Sequence, residues 1–377
     1  MKNTLRPLDY GTEAVEMMMQ RFAAADLPPK GHFHYHQGVF LSGVDHIAQL
    51  CAPDRKRRYR QYLKEWVDSC MDEQGNFLNI EEGQIDDLQP GILLYPILEM
   101  EREAGKSEAE IAGSKYQRAL DHLIGVYETY PRTADGGFWH RAWKEGQLWL
   151  DGLYMAGPFL AEYANRYHRA DITELVVAHV RSVVSHNREE RTGLLTHAYD
   201  ETKQAEWADP VSGQSPEIWG RSVGWVPVAI LDDLSQMDKE SAGAKELAKI
   251  VRDLLTALLS YQSASGMWYQ VIDKAQDKGN WPELSCTCLF IAAICKGLRT
   301  GVLDTENERF LAAAKKAYDA VISMLTYDAQ GRIEIGHVCV GTGVGDYEFY
   351  CKRPTSVNDL HGVGAFLLMC AEAEQVL

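Results

Sequence analysis

The chain has 377 residues, of which 46% are hydrophobic and 24% are charged. This composition is typical of globular proteins and excludes the collagen-like, low-complexity and disordered classes. Its 38 Lys and Arg against 54 Asp and Glu give a formal charge of −16, which opposes binding to nucleic acid phosphates and to anionic lipid. We therefore expect neither a nucleic acid nor a membrane as a partner.

The sequence also indicates the compartment. No apolar stretch approaches the roughly 18 to 20 residues of a membrane span, and the first residues lack the apolar segment of a secretory signal. The eight cysteines are scattered and contain no C-x-x-C pair, so we interpret them as reduced core thiols. These observations favour a cytoplasmic protein.

Helical periodicity dominates the chain. Phe310, Ala314, Ala317, Val321 and Met324 recur at the spacing of one helix face. Comparable patterns, together with two near the start of the chain, predict about twelve helices. The longer patterned segments lie at about 38–50, 90–104, 108–129, 152–167, 172–186, 221–237, 242–262, 282–300 and 357–377.

A weak internal repeat lies between these segments: a glycine preceded by turn-forming residues and followed by a short apolar or aromatic stretch. The copies begin at Gly31, Gly75, Gly137, Gly193, Gly266 and Gly331. They are 44 to 73 residues apart, long enough for two helices each. The repeat predicts an all-α fold of six helical hairpins, stacked as an open solenoid or closed into a ring. No linker divides the chain, so we expect one domain over 1–377.

Asp151 is the first candidate for chemistry because it lies in an aromatic and apolar frame that includes Trp149 and Tyr154. Burial in such a frame disfavours the charged form of an acid, which suits a general acid. The alternative is that Asp151 caps the helix that follows it.

Asp86 and Asp87 form a second acidic site at the start of another predicted helix. Two carboxylates from different loops, one protonated and one ionised, are the usual arrangement for chemistry on sugars. Acidic residues at helix starts are also common for electrostatic reasons alone, and one of the two is expected to be only a cap.

Several histidines follow the repeat. His140 and His197 each close one copy, so both are candidates to line the mouth of a ring. His32, His34 and His36 alternate along one extended segment, which supplies ligands from one strand only. We therefore expect no metal site there, and we expect no metal or organic cofactor elsewhere.

Trp219, Arg221 and Trp225 are candidates for holding a sugar. Tryptophan faces stack on the C–H faces of pyranose rings, and arginine binds a carboxylate with two hydrogen bonds. The alternative is an aromatic core in which Arg221 pairs with an internal acid. The glycine-rich stretch 341–345 lacks the G-x-G-x-x-G spacing, so we expect no phosphate site there.

Three segments carry a family resemblance. Residues 35–40, the block Trp149-Leu150-Asp151-Gly152-Leu153-Tyr154-Met155-Ala156-Gly157-Pro158-Phe159, and residues 358–366 resemble the unsaturated rhamnogalacturonyl hydrolases of glycoside hydrolase family 105. The unsaturated glucuronyl hydrolases of family 88 are more distantly similar. The resemblance covers most of the chain and implies a closed ring of six hairpins, the (α/α)6 barrel. The chain departs from it at residues 32–34, where relatives are richer in tryptophan, and at Cys286 and Cys288.

The resemblance also implies roles for the candidate residues. It implies that Asp151 is the catalytic general acid and base and that Asp86 is the assisting carboxylate. Because Asp87 is adjacent, either Asp86 or Asp87 could be the residue that faces the pocket. Trp219 and Asp87 remain substrate-binding candidates. The other expected substrate-binding residues are Tyr35, His140, Met155, His197, Arg221 and Trp225.

The implied substrate is a lyase-generated oligosaccharide with a 4,5-unsaturated uronic acid at its non-reducing end, most simply a rhamnogalacturonan disaccharide. The implied reaction is acid-catalysed hydration of the C4=C5 vinyl ether. The alternatives are a family 88 glucuronyl hydrolase, a sugar epimerase and a carbohydrate-binding toroid without catalysis. The sequence does not indicate an oligomeric state.

Overall fold

The computed structural model describes residues 5–304 and 308–377. The helices are α1 (Pro7–Arg21), α2 (Tyr35–Leu50), α3 (Pro53–Ser69), α4 (Ile85–Leu88), α5 (Leu94–Glu103), α6 (Glu108–Ala112), α7 (Lys115–Thr129), α8 (Asp151–Tyr167), α9 (Ala170–Asn187), α10 (Gly220–Ser235), α11 (Ala242–Leu259), α12 (Leu284–Thr300), α13 (Glu308–Ser323), α14 (Tyr347–Cys351) and α15 (Leu360–Ala373). Short antiparallel pairs join β1 (Gln147–Trp149) to β2 (Ala198–Asp200), β3 (Thr326–Tyr327) to β4 (Ile333–Glu334) and β5 (Val338–Cys339) to β6 (Thr355–Ser356). None of the helices in these two stretches has both the length and the apolar content that a membrane crossing requires.

Six helical segments form a closed inner ring. They are α2, the α4-to-α5 segment, α8, α10, α12 and α15; each packs on the next, and α15 packs back on α2. Helices α1, α3, α7, α9, α11 and α13 pack around the outside of this ring. The arrangement is an (α/α)6 barrel, which confirms the all-α fold class and decides for the ring over the open solenoid. Twelve helices of ten or more residues lie in the described part of the chain, as the periodicity predicts.

Inner and outer helices differ in burial as a double ring requires. All 14 residues of α15 are buried because this helix has neighbours on every side. The outer helix α13 buries one face only, which includes the predicted Phe310, Ala314, Ala317 and Val321. Met324 of the predicted stripe lies just beyond the end of this helix.

The predicted helix at 108–129 is wrong, because the segment contains two helices. Helix α6 ends before Gly113, and Ser114 then caps α7 by accepting a hydrogen bond from the Gln117 amide at 3.2 Å. A serine hydroxyl satisfies an N–H group that the first turn leaves unpaired, so it favours a new helix start over continuation.

The glycine repeat is a set of turns that follow the outer helices. Each turn contains a glycine at positive φ, where residues with a side chain are disfavoured. These glycines are Gly31, Gly75, Gly136, Gly193, Gly266 and Gly331; in the third copy Gly136 takes the place that the sequence pattern gave to Gly137. After each turn a short extended segment leads into an inner helix. All six inner helices therefore begin at one end of the barrel, which we call the N-terminal face.

A cavity of about 440 Å³ opens at the opposite end of the barrel. Its charged residues are paired: Arg60 contacts Asp45, Arg166 contacts Glu162, and Lys296 contacts Asp232. Burial raises the pKa of Glu162 to about 7 despite Arg166. The pairing indicates a structural role for these charges.

Alanine substitutions at a crowded glycine and at an open glycine are predicted to have opposite effects on stability. The crowded glycine lies where α2 and α15 are in tight contact. A Cβ at Gly364 would lie 2.7 Å from the backbone carbon and oxygen of Val39, and backbone cannot move away cheaply. We expect Gly364→Ala to lower the free energy of unfolding by about 1 to 3 kcal/mol. A Cβ at Gly125, on the exposed face of α7, would meet nothing within 4 Å. We expect Gly125→Ala to raise the same quantity by up to about 1 kcal/mol, because alanine favours helix.

Thermal unfolding followed by circular dichroism measures both variants. An unchanged or raised melting temperature for Gly364→Ala would contradict the close approach of the first and last inner helices.

Candidate active site

The N-terminal face collects polar residues from distant parts of the chain. The first or second residue of each inner segment carries one of them. These residues are Tyr35, Asp86, Asp151, Arg221, Ser285 and His361. The positive ends of the helix dipoles meet at the same face, which favours a negatively charged ligand.

Asp151 belongs to a chain of hydrogen-bonding groups. Its Oδ2 lies 3.1 Å from Nε2 of His197, and Nδ1 of His197 lies 2.6 Å from the hydroxyl of Tyr350. That hydroxyl accepts the amide N–H of Gly345 at 3.3 Å. Burial lowers the pKa of His197, and the nearby Asp151 only partly opposes this. The neutral imidazole therefore orients Asp151 and leaves the other oxygen of Asp151, Oδ1, without a hydrogen bond in the described residues.

The structure does not support the capping alternative for Asp151. The N-cap position of α8 is Leu150, and Asp151 is the first residue inside the helix. Its carboxylate is directed to His197 and makes no capping hydrogen bond.

Asp86 lies beside His140, with Oδ2 of Asp86 3.6 Å from Nε2 of His140. Burial alone would raise the pKa of Asp86, but attraction to His140, His34 and Arg141 outweighs it and holds this pKa below its usual value. The His140 ring stacks on Trp149 with centroids 4.2 Å apart. Asp86 is therefore an ionised carboxylate beside an aromatic wall.

Asp87 has a different environment. Its carboxylate contacts Nδ1 of His34 and accepts the amide N–H of Glu81 at 2.9 Å and the side-chain amide of Gln84 at 3.2 Å. These contacts hold the loop before α4. The geometry thus favours the register in which Asp86 faces the site, and substrate binding by Asp87 stays a prediction.

Arg221 is buried and largely occupied by protein partners. Its Nη1 donates to the Cys339 carbonyl at 2.6 Å and its Nη2 to the Val340 carbonyl at 2.9 Å. The guanidinium carbon lies 4.5 Å from the ring centre of Trp219. Arg221 thus binds carbonyl oxygens and an aromatic face. The alternative drawn from the sequence was that Arg221 pairs with an internal acid.

Trp219 supports the site from behind. Its ring is 1% exposed and lies 4.7 Å from His197 and 5.7 Å from Tyr350, centre to centre. It therefore packs against the hydrogen-bonded chain of Asp151 and has no open face for a sugar.

Met155 and Trp225 lie one helical turn below Asp151 and Arg221, about 6 Å deeper along their helices. Met155 is 2% exposed, and Trp225 is 1% exposed and stacks on Tyr154. Both residues pack beneath the site and form its floor, and direct contact of either residue with a sugar stays a prediction.

Tyr35 lies among the charged groups of the site. Burial is the main cause that raises its pKa, and the carboxylates of Asp86 and Asp151 add to the effect. The phenol therefore keeps its proton. A Cβ at Gly341 would lie 3.4 Å from the Tyr35 hydroxyl, so the glycine-rich stretch passes close to this residue.

The glycine-rich segment 341–345 covers part of the site, which the sequence analysis did not foresee. A Cβ at Gly343 would lie 3.9 Å from the Trp149 ring, so the segment spans from Tyr35 to Trp149. Arg353 holds it by donating to the Thr342 hydroxyl at 3.0 Å and to the Gly341 carbonyl. The backbone of the segment therefore passes close to both residues.

Arg141 is a further residue that the sequence analysis missed. Its guanidinium carbon lies 5.8 Å from the Trp149 ring centre, its Nε is buried without a hydrogen-bond partner, and it forms no ion pair with the described residues. Its position directly after His140 was the available signal. Tyr350 was also missed, because nothing in its local sequence indicates contact with His197.

Comparisons with known proteins place this geometry in a family. The family model described as Glycosyl Hydrolase Family 88 matches residues 11–377. The structure is similar to that of a family 105 glycoside hydrolase from C. acetobutylicum ATCC 824, with a TM-score of 0.87 and 28% identity over 97% of this chain and 99% of that chain.

Two curated proteins are also similar. Protein Atu3128 of Agrobacterium fabrum is 31% identical over 58% of this chain and 98% of its own length. The unsaturated rhamnogalacturonyl hydrolase YesR of Bacillus subtilis is 22% identical over 89% of this chain and 88% of its own length. The resemblance found in the sequence is confirmed. The chain belongs to Glycosyl Hydrolase Family 88 and is a glycoside hydrolase.

Proposed function

We propose that this hydrolase releases a 4,5-unsaturated uronic acid from the non-reducing end of short oligosaccharides left by polysaccharide lyases, with unsaturated rhamnogalacturonan disaccharide as the preferred substrate. The observation that carries the proposal is that two aspartate–histidine pairs lie on one face of the barrel. They are Asp151–His197 and Asp86–His140. The named activity of YesR supports the choice of substrate. Hydrolysis of unsaturated glucuronyl disaccharides is the alternative.

The proposed reaction begins with proton transfer from Asp151, in its acid form, to C4 of the vinyl ether. Positive charge then develops across C5 and the ring oxygen. Water attacks C5 and gives its proton to the Asp151 carboxylate, which restores the acid. The resulting hemiketal opens by breaking the bond between C5 and the ring oxygen, which leaves a ketone at C5 and a hydroxyl on C1. Loss of the remaining sugar from C1 completes the hydrolysis.

His197 and Tyr350 position the catalytic acid in this proposal. Because the neutral imidazole contacts only Oδ2 of Asp151, the other carboxyl oxygen, Oδ1, is the one available to exchange protons with the substrate and water. Asp86, which stays ionised, is suited to orient the attacking water or the sugar hydroxyls.

The carboxylate of the unsaturated uronic acid needs positive charge in a protein with a formal charge of −16. The inner-helix N-termini provide part of it. Arg141 provides a guanidinium with unused donors, whereas two of the Arg221 nitrogens are engaged by carbonyls. We therefore assign the main contact with the substrate carboxylate to Arg141.

Replacement of the general acid is the first test. We expect Asp151→Asn to lower kcat by about 100- to 10,000-fold, because the amide cannot deliver a proton to C4. The measurement is the loss of ultraviolet absorbance of the C4=C5 bond on mixing with unsaturated rhamnogalacturonan disaccharide. Asp54→Asn, at a surface carboxylate whose side chain is 93% exposed, is the matched control and should retain full activity.

The same assay separates the alternatives. Activity retained in Asp151→Asn would contradict the role of Asp151. A preference of wild type for unsaturated glucuronyl disaccharide would favour the glucuronyl hydrolase alternative, and unchanged absorbance with both substrates would favour an epimerase or a binding protein.

A second prediction concerns the hydroxyl that holds His197. Tyr350→Phe removes a buried hydrogen bond to Nδ1 of His197, which is worth on the order of 1 kcal/mol. We expect kcat to fall roughly tenfold with little change in KM, because the substrate does not contact this hydroxyl. Tyr318→Phe is the matched control, since the buried Tyr318 hydroxyl has no partner. Equal kcat for both variants would contradict the positioning role.

A third prediction concerns the carboxylate of the substrate. Arg141→Gln should raise KM by roughly tenfold or more, because a hydrogen-bonded charge pair contributes about 1.5 to 3 kcal/mol, and Arg141→Lys should restore part of it. Arg132 also lies over an aromatic ring, at 5.7 Å from Phe138, but on the exposed surface, so Arg132→Gln is the control. Steady-state kinetics at low and high salt measures the effect; an unchanged KM for Arg141→Gln would transfer the role to Arg221.

A further inference from the structure

Three metal-ligating side chains meet where the ring closes. His36 lies in the first turn of α2, and Asp359 and His361 lie at the start of α15. One ligand atom of each residue lies within 4.8 Å of the others. The first and the last inner helix therefore present two imidazoles and one carboxylate to a common point.

The hydrogen bonding of His361 fixes the direction of its free nitrogen. His361 is 0% exposed, and its Nε2 lies 3.0 Å from the Cys339 carbonyl oxygen. A carbonyl only accepts hydrogen bonds, so Nε2 carries a proton and Nδ1 is the ring nitrogen that faces the other groups. This Nδ1 lies 2.8 Å from Oδ1 of Asp359, outside the alignment of a normal hydrogen bond. The imidazole nitrogen and the carboxylate oxygen therefore lie side by side in a buried place.

His36 supplies the third potential ligand. Its Nδ1 is buried and has no partner, and its Nε2 lies 4.0 Å from Oδ1 of Asp359. The His36 and His361 rings are 5.2 Å apart, centre to centre. Buried polar atoms are almost always hydrogen-bonded, so convergence of these groups indicates a ligand that accepts lone pairs from all three.

The geometry points to a binding site for a divalent transition-metal ion, with zinc as the representative, held by His36, Asp359 and His361. Two imidazoles and a carboxylate suit zinc and its neighbours better than magnesium or calcium. Three protein ligands leave a fourth position open for water or another ligand.

Groups around the three ligands are arranged as outer partners of a metal site. The Cys339 carbonyl orients His361 through Nε2, and the Ser356 hydroxyl donates to Oδ2 of Asp359 at 3.3 Å. Hydrogen bonds of this kind fix the orientation of metal ligands in proteins. Arg221 is the nearby cation that opposes metal binding, and its charge is partly neutralised by Glu283.

The site departs from the expectation of no metal, which rested on the His32, His34 and His36 tract. The structure separates these histidines: His34 contacts Asp87, and His36 finds its partners at the far end of the chain. An ion here would tie α2 to α15 and would stabilise the folded barrel, because the unfolded chain lacks the site.

The test is calorimetric titration of zinc chloride into metal-free protein near neutral pH, with wild type, His36→Gln, Asp359→Asn and His361→Gln. We expect one zinc ion to bind wild type and each variant to bind at least about tenfold more weakly, since even outer partners contribute roughly 10- to 100-fold. The control is His186→Gln, which removes another histidine paired with an aspartate, at 2.9 Å from Asp135, and should bind zinc as wild type does.

Thermal unfolding gives an independent reading. Zinc should raise the melting temperature of wild type, a chelator should reverse the rise, and both effects should be smaller in His36→Gln at the same zinc concentration. If His361→Gln fails to fold, the partly exposed His36 still tests the site. Absence of zinc binding, or equal binding by wild type and the ligand variants, would overturn the proposal and would leave an ion pair between Asp359 and protonated His361.

Discussion

The closure of the inner ring is the constraint on which the rest of the structure depends. Because the outer helices return the chain, every inner helix runs in the same direction along the barrel, and the packing of α15 on α2 closes these helices into a ring. All six inner helices therefore begin at one face. Residues at the first positions of these helices, such as Tyr35, Asp151 and His361, become neighbours although they are far apart in the sequence. The proposed catalytic pair lies on this face, and the proposed metal ligands meet where the ring closes.

The same constraint explains how an acidic protein can bind an acidic sugar. The formal charge of −16 is a property of the whole chain, whereas a ligand at the N-terminal face is affected mainly by the groups nearby. Helix N-termini contribute partial positive charge there without adding ionised side chains. Arg141 and Arg221 add two cations, and Asp86 stays ionised beside His140. The site therefore combines a positive binding face with one fixed negative charge, which suits chemistry that passes through a cationic intermediate.

Local sequence patterns predicted six helical hairpins because the repeating unit is local: an outer helix, a glycine turn and an inner helix. The family resemblance implied their closure into a barrel, which the structure shows. The patterns also found Asp151, whose aromatic surroundings lie within a few residues of it. They did not find Tyr350 or Arg141. Tyr350 is separated from His197 by 153 positions, and only ring closure brings the two together. Asp86 and Asp87 are equivalent in the sequence, and they differ because Glu81 and Gln84 donate hydrogen bonds to Asp87.

Several buried polar atoms at the N-terminal face have no partner among the described protein atoms. They include Nδ1 of His140, Nε of Arg141 and the indole nitrogens of Trp149 and Trp219, besides the proposed metal ligands His36 and His361. Each such atom costs roughly 1 to 3 kcal/mol if it stays unpaired, so a ligand that pairs with it recovers this cost. The stacked rings and glycine turns hold these atoms in place before any ligand arrives. His140, Arg141 and Trp149 thus carry hydrogen-bonding capacity that folding does not use, and a polar sugar acid is suited to use it.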